Sequence, residues 1–166
     1  FRSNAIGALI DCRGLADLRF AQAGLLHNLG LLWLATWMPA ETHRALTGID
    51  SDPDFPIRDA LNQYCGLDYC EAGALLASAW QFPDTLIQAL EHQADPNYQD
   101  SSWPIANLVG LGRALNATSR SGLPPPVMDP RLNRLGIEAT DLAATFQRLE
   151  AKHHEIDELA QALFAR

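Results

Sequence analysis

GLDYCEAGALLASAWQFPDTLIQALEHQADP (Gly66–Pro96) is the stretch whose reading decides the fold. Asp68 with Glu71 three residues later is the spacing of a capping box, in which each acid satisfies a backbone amide left orphaned at a helix start. Ala72, Leu75, Leu76 and Ala79 then recur at i, i+3, i+4 and i+7, which predicts helix to near Trp80. Pro83 is a good opening residue for a second helix, which carries Leu86, Ile87 and Leu90 to His92.

Outward from this stretch the apolar period stays helical, and no segment reads convincingly as strand. Ala5, Ile6, Leu9 and Ile10 form a first apolar face closed by Gly14. Leu18, Ala21, Leu25 and Leu26 lead a second helix toward His27, and a third runs from Leu29 to about Thr36. Pro39 starts a short helix through Ala45 and Leu46, and the Asp-, Pro- and Ser-rich stretch from Gly48 to Pro56 reads as a loop. Ile57, Ala60, Leu61 and Tyr64 make a further helix ending at Gly66. Pro104 opens another, with Ile105, Leu108, Val109, Leu111 and Leu115. Residues 118–128 contain Pro124, Pro125 and Pro126 and read as a long loop. Asp129-Pro130 starts one short turn that Gly136 stops. From Glu138 to about Ala165, Leu142, Phe146, Leu149, His153, Ile156, Ala160 and Leu163 form a heptad-like stripe, either docked on the bundle or a dimerising seam. The fold class is all-α, an HD-like helical bundle with a long C-terminal helix. It is organised as bundle (1–118), Pro-rich loop and short turn (119–137) and C-terminal helix (138–166).

Composition narrows the function. The 166 residues are 48% hydrophobic, enough for a sizeable core. A formal charge of −8, with Lys152 the single lysine, argues against a nucleic-acid binder, which needs clustered cations to meet phosphates. No run is long and apolar enough for a membrane span. Cys12, Cys65 and Cys70 form no even disulfide set and no C-x-x-C pair, and read as reduced, buried small hydrophobes in a cytoplasmic protein. No H-E-x-x-H, Walker A, G-x-G-x-x-G or G-x-S-x-G motif occurs. His43 reads as exposed, and His153-His154, among Glu150 and Glu155, as a solvated face. Trp33, Trp37, Trp80 and Trp103 read mostly as core or helix-end packing, with Trp37 and Trp103, which adjoin loops, the pair better placed to meet a partner.

Three segments in order, FAQAGLLHNLGLLWL (Phe20–Leu34), Gly66–Pro96 and PIANLVGLGRAL (Pro104–Leu115), resemble the HDOD family, signalling relatives of the HD and HD-GYP phosphohydrolases. The pattern E-x-G-x-L-L-x-x-x-W-x-x-P, carrying Gly73, Trp80 and Pro83, is the most specific part. The resemblance implies a vestigial pocket at His27, Asn28, Tyr69, His92 and Arg113. In metal-binding relatives Asn28 would be a ligating Asp, Leu31 a Lys, Tyr69 a His, and His92-Gln93 a His-His pair. Arg113 falls where a late Asp ligand is expected. A hard divalent cation depends on anionic oxygens to offset its dehydration, and an amide brings none. A catalytic metal wants three protein ligands and an open position, and His27 with His92 falls short.

The resemblance therefore implies a non-enzymatic signalling module without a catalytic metal or cofactor, working through protein partners or fused signalling domains. Arg113 makes an anion or nucleotide ligand conceivable in the pocket, since guanidinium grips phosphate in a bidentate way. The competing reading is a metal-dependent phosphohydrolase in which Asn28 coordinates through its carbonyl and Asp68, Glu71 or Asp95 supplies charge. The family domain also carries an N-terminal helical half before the region that starts at Phe1. Apolar surface left uncovered without it leads to the expectation of a homo-oligomer.

Overall fold

A computed structural model describes residues 18–51 and 56–164. Every element among them is helix: α1 (Leu18–Leu26), α2 (Leu29–Trp37), α3 (Pro39–Ser51), α4 (Ile57–Cys65), α5 (Tyr69–Ala79), α6 (Asp84–His92), α7 (Trp103–Arg120), α8 (Pro130–Leu135) and α9 (Ala139–Phe164). The apolar face expected over Ala5–Ile10, Gly14 and Cys12 lie outside the described residues.

The capping box forms as its spacing predicts. Asp68 accepts from the amides of Cys70 (2.7 Å) and Glu71 (3.0 Å), and Glu71 accepts from the Asp68 amide (2.8 Å). Asp129 caps α8 by accepting from the Arg131 amide (2.9 Å), and α8 stops at Gly136 as read.

Two expected loops begin later than their composition suggested. α3 runs on to Ser51, through residues read as loop from Gly48. Thr47 folds its hydroxyl back onto the carbonyls of His43 and Arg44, so a polar residue is absorbed inside the helix. α7 likewise continues to Arg120, where Thr118 bonds back to Ala114 and Leu115. Its end is set by Gly122, whose φ of 65° is the left-handed conformation that Gly adopts at little cost, ahead of the prolines.

The chain divides into two compact units. In the unit spanning Leu25–Asn107, α2 packs on α3 and α5, α3 packs on α4, and α5 packs on α6. Its core gathers Leu34, Ala45, Ala60, Leu61, Cys65, Tyr69, Cys70 and Ala72. Small residues dominate that cluster because the helices approach closely. An added Cβ on Gly30 of α2 would lie 2.0 Å from the Tyr69 carbonyl oxygen and 2.4 Å from the Gly73 amide nitrogen of α5. Cys65 and Cys70 are buried and unpaired by disulfide, as expected.

In the unit formed by 1–24 and 108–166, Leu142, Phe146 and Leu149 of α9 are buried. Farther along the stripe His153 and Ile156 are half-buried. The solvated-face reading fails for His153. Its Nδ1 lies 3.0 Å from the Ser119 hydroxyl and its Nε2 3.1 Å from Asn116 Oδ1, which ties α9 to α7. His154 stays exposed beside Glu158, and His43 is exposed as read. Trp37, at the end of α2, is 72% exposed, as a residue adjoining a loop can be, and Trp80 is 54% exposed while its ring meets Phe82 edge-on at the end of α5.

Charge is divided as unevenly as the chain. Leu25–Asn107 holds two arginines against eleven carboxylates, formally −9, while the remainder holds ten cations against nine carboxylates, formally +1.

Candidate functional site

His27 and Asn28 form the two-residue turn between α1 and α2. Asn28 starts α2 with φ −100° and ψ 7°, and its side chain makes no cap bond, although its carbonyl accepts from Leu32 (3.0 Å). His27 is 3% exposed. The turn is held from across the unit by Gln93, whose Nε2 donates to the His27 carbonyl (2.9 Å) and to the Leu90 carbonyl (3.0 Å). Gln93 is itself 1% exposed, so its amide satisfies backbone oxygens that water cannot reach. Tyr69, 3% exposed, opens α5 where Gly30 lets α2 come closest. Helix starts and ends thus bring His27, Asn28, Tyr69 and Gln93 into neighbouring elements of one unit.

The other two expected members are placed differently. The His92 ring lies flat on Tyr98, with centroids 4.0 Å apart and planes inclined by 13°. It is about a third exposed, and its Nε2 sits 3.8 Å from Glu91. Burial, with Asp100 and Glu91 adding to it, raises the Tyr98 phenol above the ordinary tyrosine range. Arg113 is half-buried on α7, in the other unit. Leu31 packs against the apolar core.

The carboxylates named for the competing reading are engaged locally. Asp68 is fully buried, caps α5 and pairs with Arg58 of α4. Burial alone would lower the Arg58 pKa, but the hydrogen bond and charge of Asp68 outweigh it and hold the guanidinium above its ordinary value. Glu71 closes the same cap. Asp95 accepts from the Asn97 amide (2.8 Å) on the exposed turn after α6. Among the described residues no three His, Cys, Asp or Glu side chains gather as a metal ion would need, and no helix is long and apolar enough to cross a membrane.

The Gln93 cross-link and the Arg58–Asp68 pair were not foreseen. The signal for the first was present, since Gln93 stands where a second His would be expected. The partner of Asp68, ten residues back on another helix, had no sequence signature.

This succession of helices around an H-N turn fits one family model, the HDOD domain, which matches residues 3–96. The chain belongs to the HDOD family. Solved structures share its fold. A candidate signal transduction protein of Marinobacter aquaeolei VT8 matches with a TM-score of 0.78 and 23% identity, over 96% of this chain and 38% of that one. An HDOD domain protein of unknown function from Geobacter sulfurreducens gives 0.71 and 20%, over 98% and 60%. A candidate phosphohydrolase from Shewanella amazonensis SB2B gives 0.67 and 22%, over 92% and 59%. The HDOD chain thus spans less than two thirds of each of these proteins, and at such identities the likeness is one of fold. No curated protein matches it.

Proposed function

We propose that this HDOD domain is a non-enzymatic regulatory module whose ancestral metal pocket has become a structural joint, and that it works by docking partner proteins. The observation that carries the reading is Gln93. A neutral amide follows His92, is buried, and is committed to the backbone of the His27-Asn28 turn. The metal that the fold family implies finds a poor donor set in these residues. Asn28 is uncharged, His92 is stacked on Tyr98, and Asp68 and Glu71 are held in the α5 cap. No step of chemistry is therefore assigned to such an ion. The name of the Marinobacter neighbour agrees with a signalling role, and that of the Shewanella neighbour supplies the competing one.

Elemental analysis of the purified chain, with hydrolysis of bis(p-nitrophenyl) phosphate in the presence of Mn(II), Fe(II) or Zn(II), decides between them. The proposal expects substoichiometric metal and no turnover above buffer. Stoichiometric metal together with turnover lost on substitution of His27 overturns it.

A further inference from the structure

α5 and α6 line an open groove of about 440 Å³ that does not include the residues of the His27 turn. Leu67, Ala74, Leu75 and Ile87 contribute its apolar lining, and Glu71 and Glu91 bring carboxylates to it. Leu75, among these apolar residues, is 62% exposed. The lining residues of α5 extend from Glu71 through Leu75 to Ser78, steps of four and three that keep them on one helix face. Ile87 and Glu91 do the same on α6, four apart. The α5 lining from Glu71 to Ser78 runs for about 10 Å, or two turns of a docked helix.

We propose that this groove receives a cationic amphipathic helix of a partner protein, with its apolar stripe on Leu75 and Ile87 and its Lys or Arg residues beside Glu71 and Glu91. The occupant's charge follows from the unit that carries the groove, which is formally −9 while the rest of the chain is +1. Such a field steers cations toward the face and disfavours anionic membrane surfaces and nucleic acids. An apolar lining flanked by charge suits a helix that presents anchors at i, i+3, i+4 and i+7. The inference rests on the docking role proposed above and names its surface and the chemistry of its partner.

The test uses the full chain and a fluorescein-labelled helical peptide of Leu and Lys alone, about five turns long, with all Leu on one face, read by fluorescence anisotropy. A scrambled peptide of equal composition and charge, with no apolar face, is the control. The facial peptide is expected to bind at least about tenfold more tightly than the scrambled one. Leu75→Asp and Glu91→Lys should each weaken it by about tenfold. Asp59→Lys, an equal charge change on the exposed face of α4, should weaken it less than about twofold. Leu75→Asp adds negative charge, so weaker binding there reports lost apolar contact and not lost attraction. Equal binding of the scrambled peptide, or equal effects of Asp59→Lys and Glu91→Lys, reduces the interaction to diffuse charge and overturns the proposal. So does the absence of peptide binding from a chain whose dimer is dissolved by Leu75→Asp, because the groove is then the seat of a second copy. None of these outcomes depends on metal content or phosphodiester turnover, so the groove can fail while the non-enzymatic reading stands, and the reverse.

Discussion

Replacing Gly30 by Ala tests the close approach of α2 to α5. The new methyl carbon would sit 2.0 Å from the Tyr69 carbonyl oxygen and 2.4 Å from the Gly73 amide nitrogen, against a floor near 3.0 Å for real Cβ contacts. α2 and α5 would have to part by roughly 1 Å. The obstructing atoms are backbone, so no side chain can swing aside, and the first turn of α5 is pinned by the Asp68 cap. Overpacking of this kind costs about 1–3 kcal/mol, with backbone obstruction toward the upper end. Ala gains about 1 kcal/mol over Gly in helix propensity. The net loss is about 2 kcal/mol, or a fall of roughly 4–8 °C in Tm for a chain of this size. The reciprocal change behaves differently. A Cβ on Gly73 meets Gly30 N at 3.4 Å and Gly30 Cα at 3.7 Å, close to ordinary contact, so Gly73→Ala should be neutral or stabilising by up to about 1 kcal/mol. Thermal and urea unfolding followed by far-UV circular dichroism compare the two variants with the parent. A Gly30→Ala protein as stable as the parent, or equal losses at both glycines, refutes the reasoning.

Asp68→Ala removes the α5 cap and the partner of Arg58, and should cost about 2 kcal/mol, read as a lowered urea midpoint. Gln81, at φ 57° just after α5, holds a left-handed conformation that Gly adopts more easily; Gln81→Gly should raise stability by about 1 kcal/mol in the same assay. Folding raises the Tyr98 pKa, so its contribution to stability is complete below the unfolded value near ~10 and is lost as pH rises through the folded value. The alkaline fall in Tm should therefore be shallower in Tyr98→Phe. Asn28→Asp alone should produce no shift in Tm on adding Mn(II) or Zn(II), because it supplies one carboxylate and leaves His92 on Tyr98 and Gln93 on the turn; a rise of several degrees would show that a single missing charge had disabled the site.

How much could be read in advance depended on how local the cause was. The Asp68–Glu71 box, the Asp129 cap and the stop at Gly136 act within four residues, and each formed where its spacing placed it. The overextended loops at Gly48 and Thr118 share one error. Each loop starts later than its composition predicts, because the Thr beside or at its expected start, Thr47 or Thr118, hydrogen-bonds back inside its helix and lets the helix run on. His153 was misplaced because its partners lie 34 and 37 residues back, on a helix whose facing was not fixed by periodicity. At the candidate site the identities of His27, Asn28 and His92 were legible, but the direction of the His92 ring was decided by Tyr98, an aromatic six residues on that carried no motif.

The same distinction bears on why an H-N turn survives at all. A turn between two short helices leaves backbone carbonyls facing the interior, and a buried carbonyl without a donor costs about 1–3 kcal/mol. A metal-ligating His at position 93 would engage its ring with the ion and leave the His27 carbonyl to another donor. Gln at that position donates its amide to that carbonyl and, from the same nitrogen, to Leu90 one turn back on α6. The cross-link gives the turn a structural reason for its sequence that calls on no metal. Asp68 and Glu71 serve the start of α5. The surface between α5 and α6 is then supported by a capped helix and a cross-linked turn, the rigid backing that a docking groove needs.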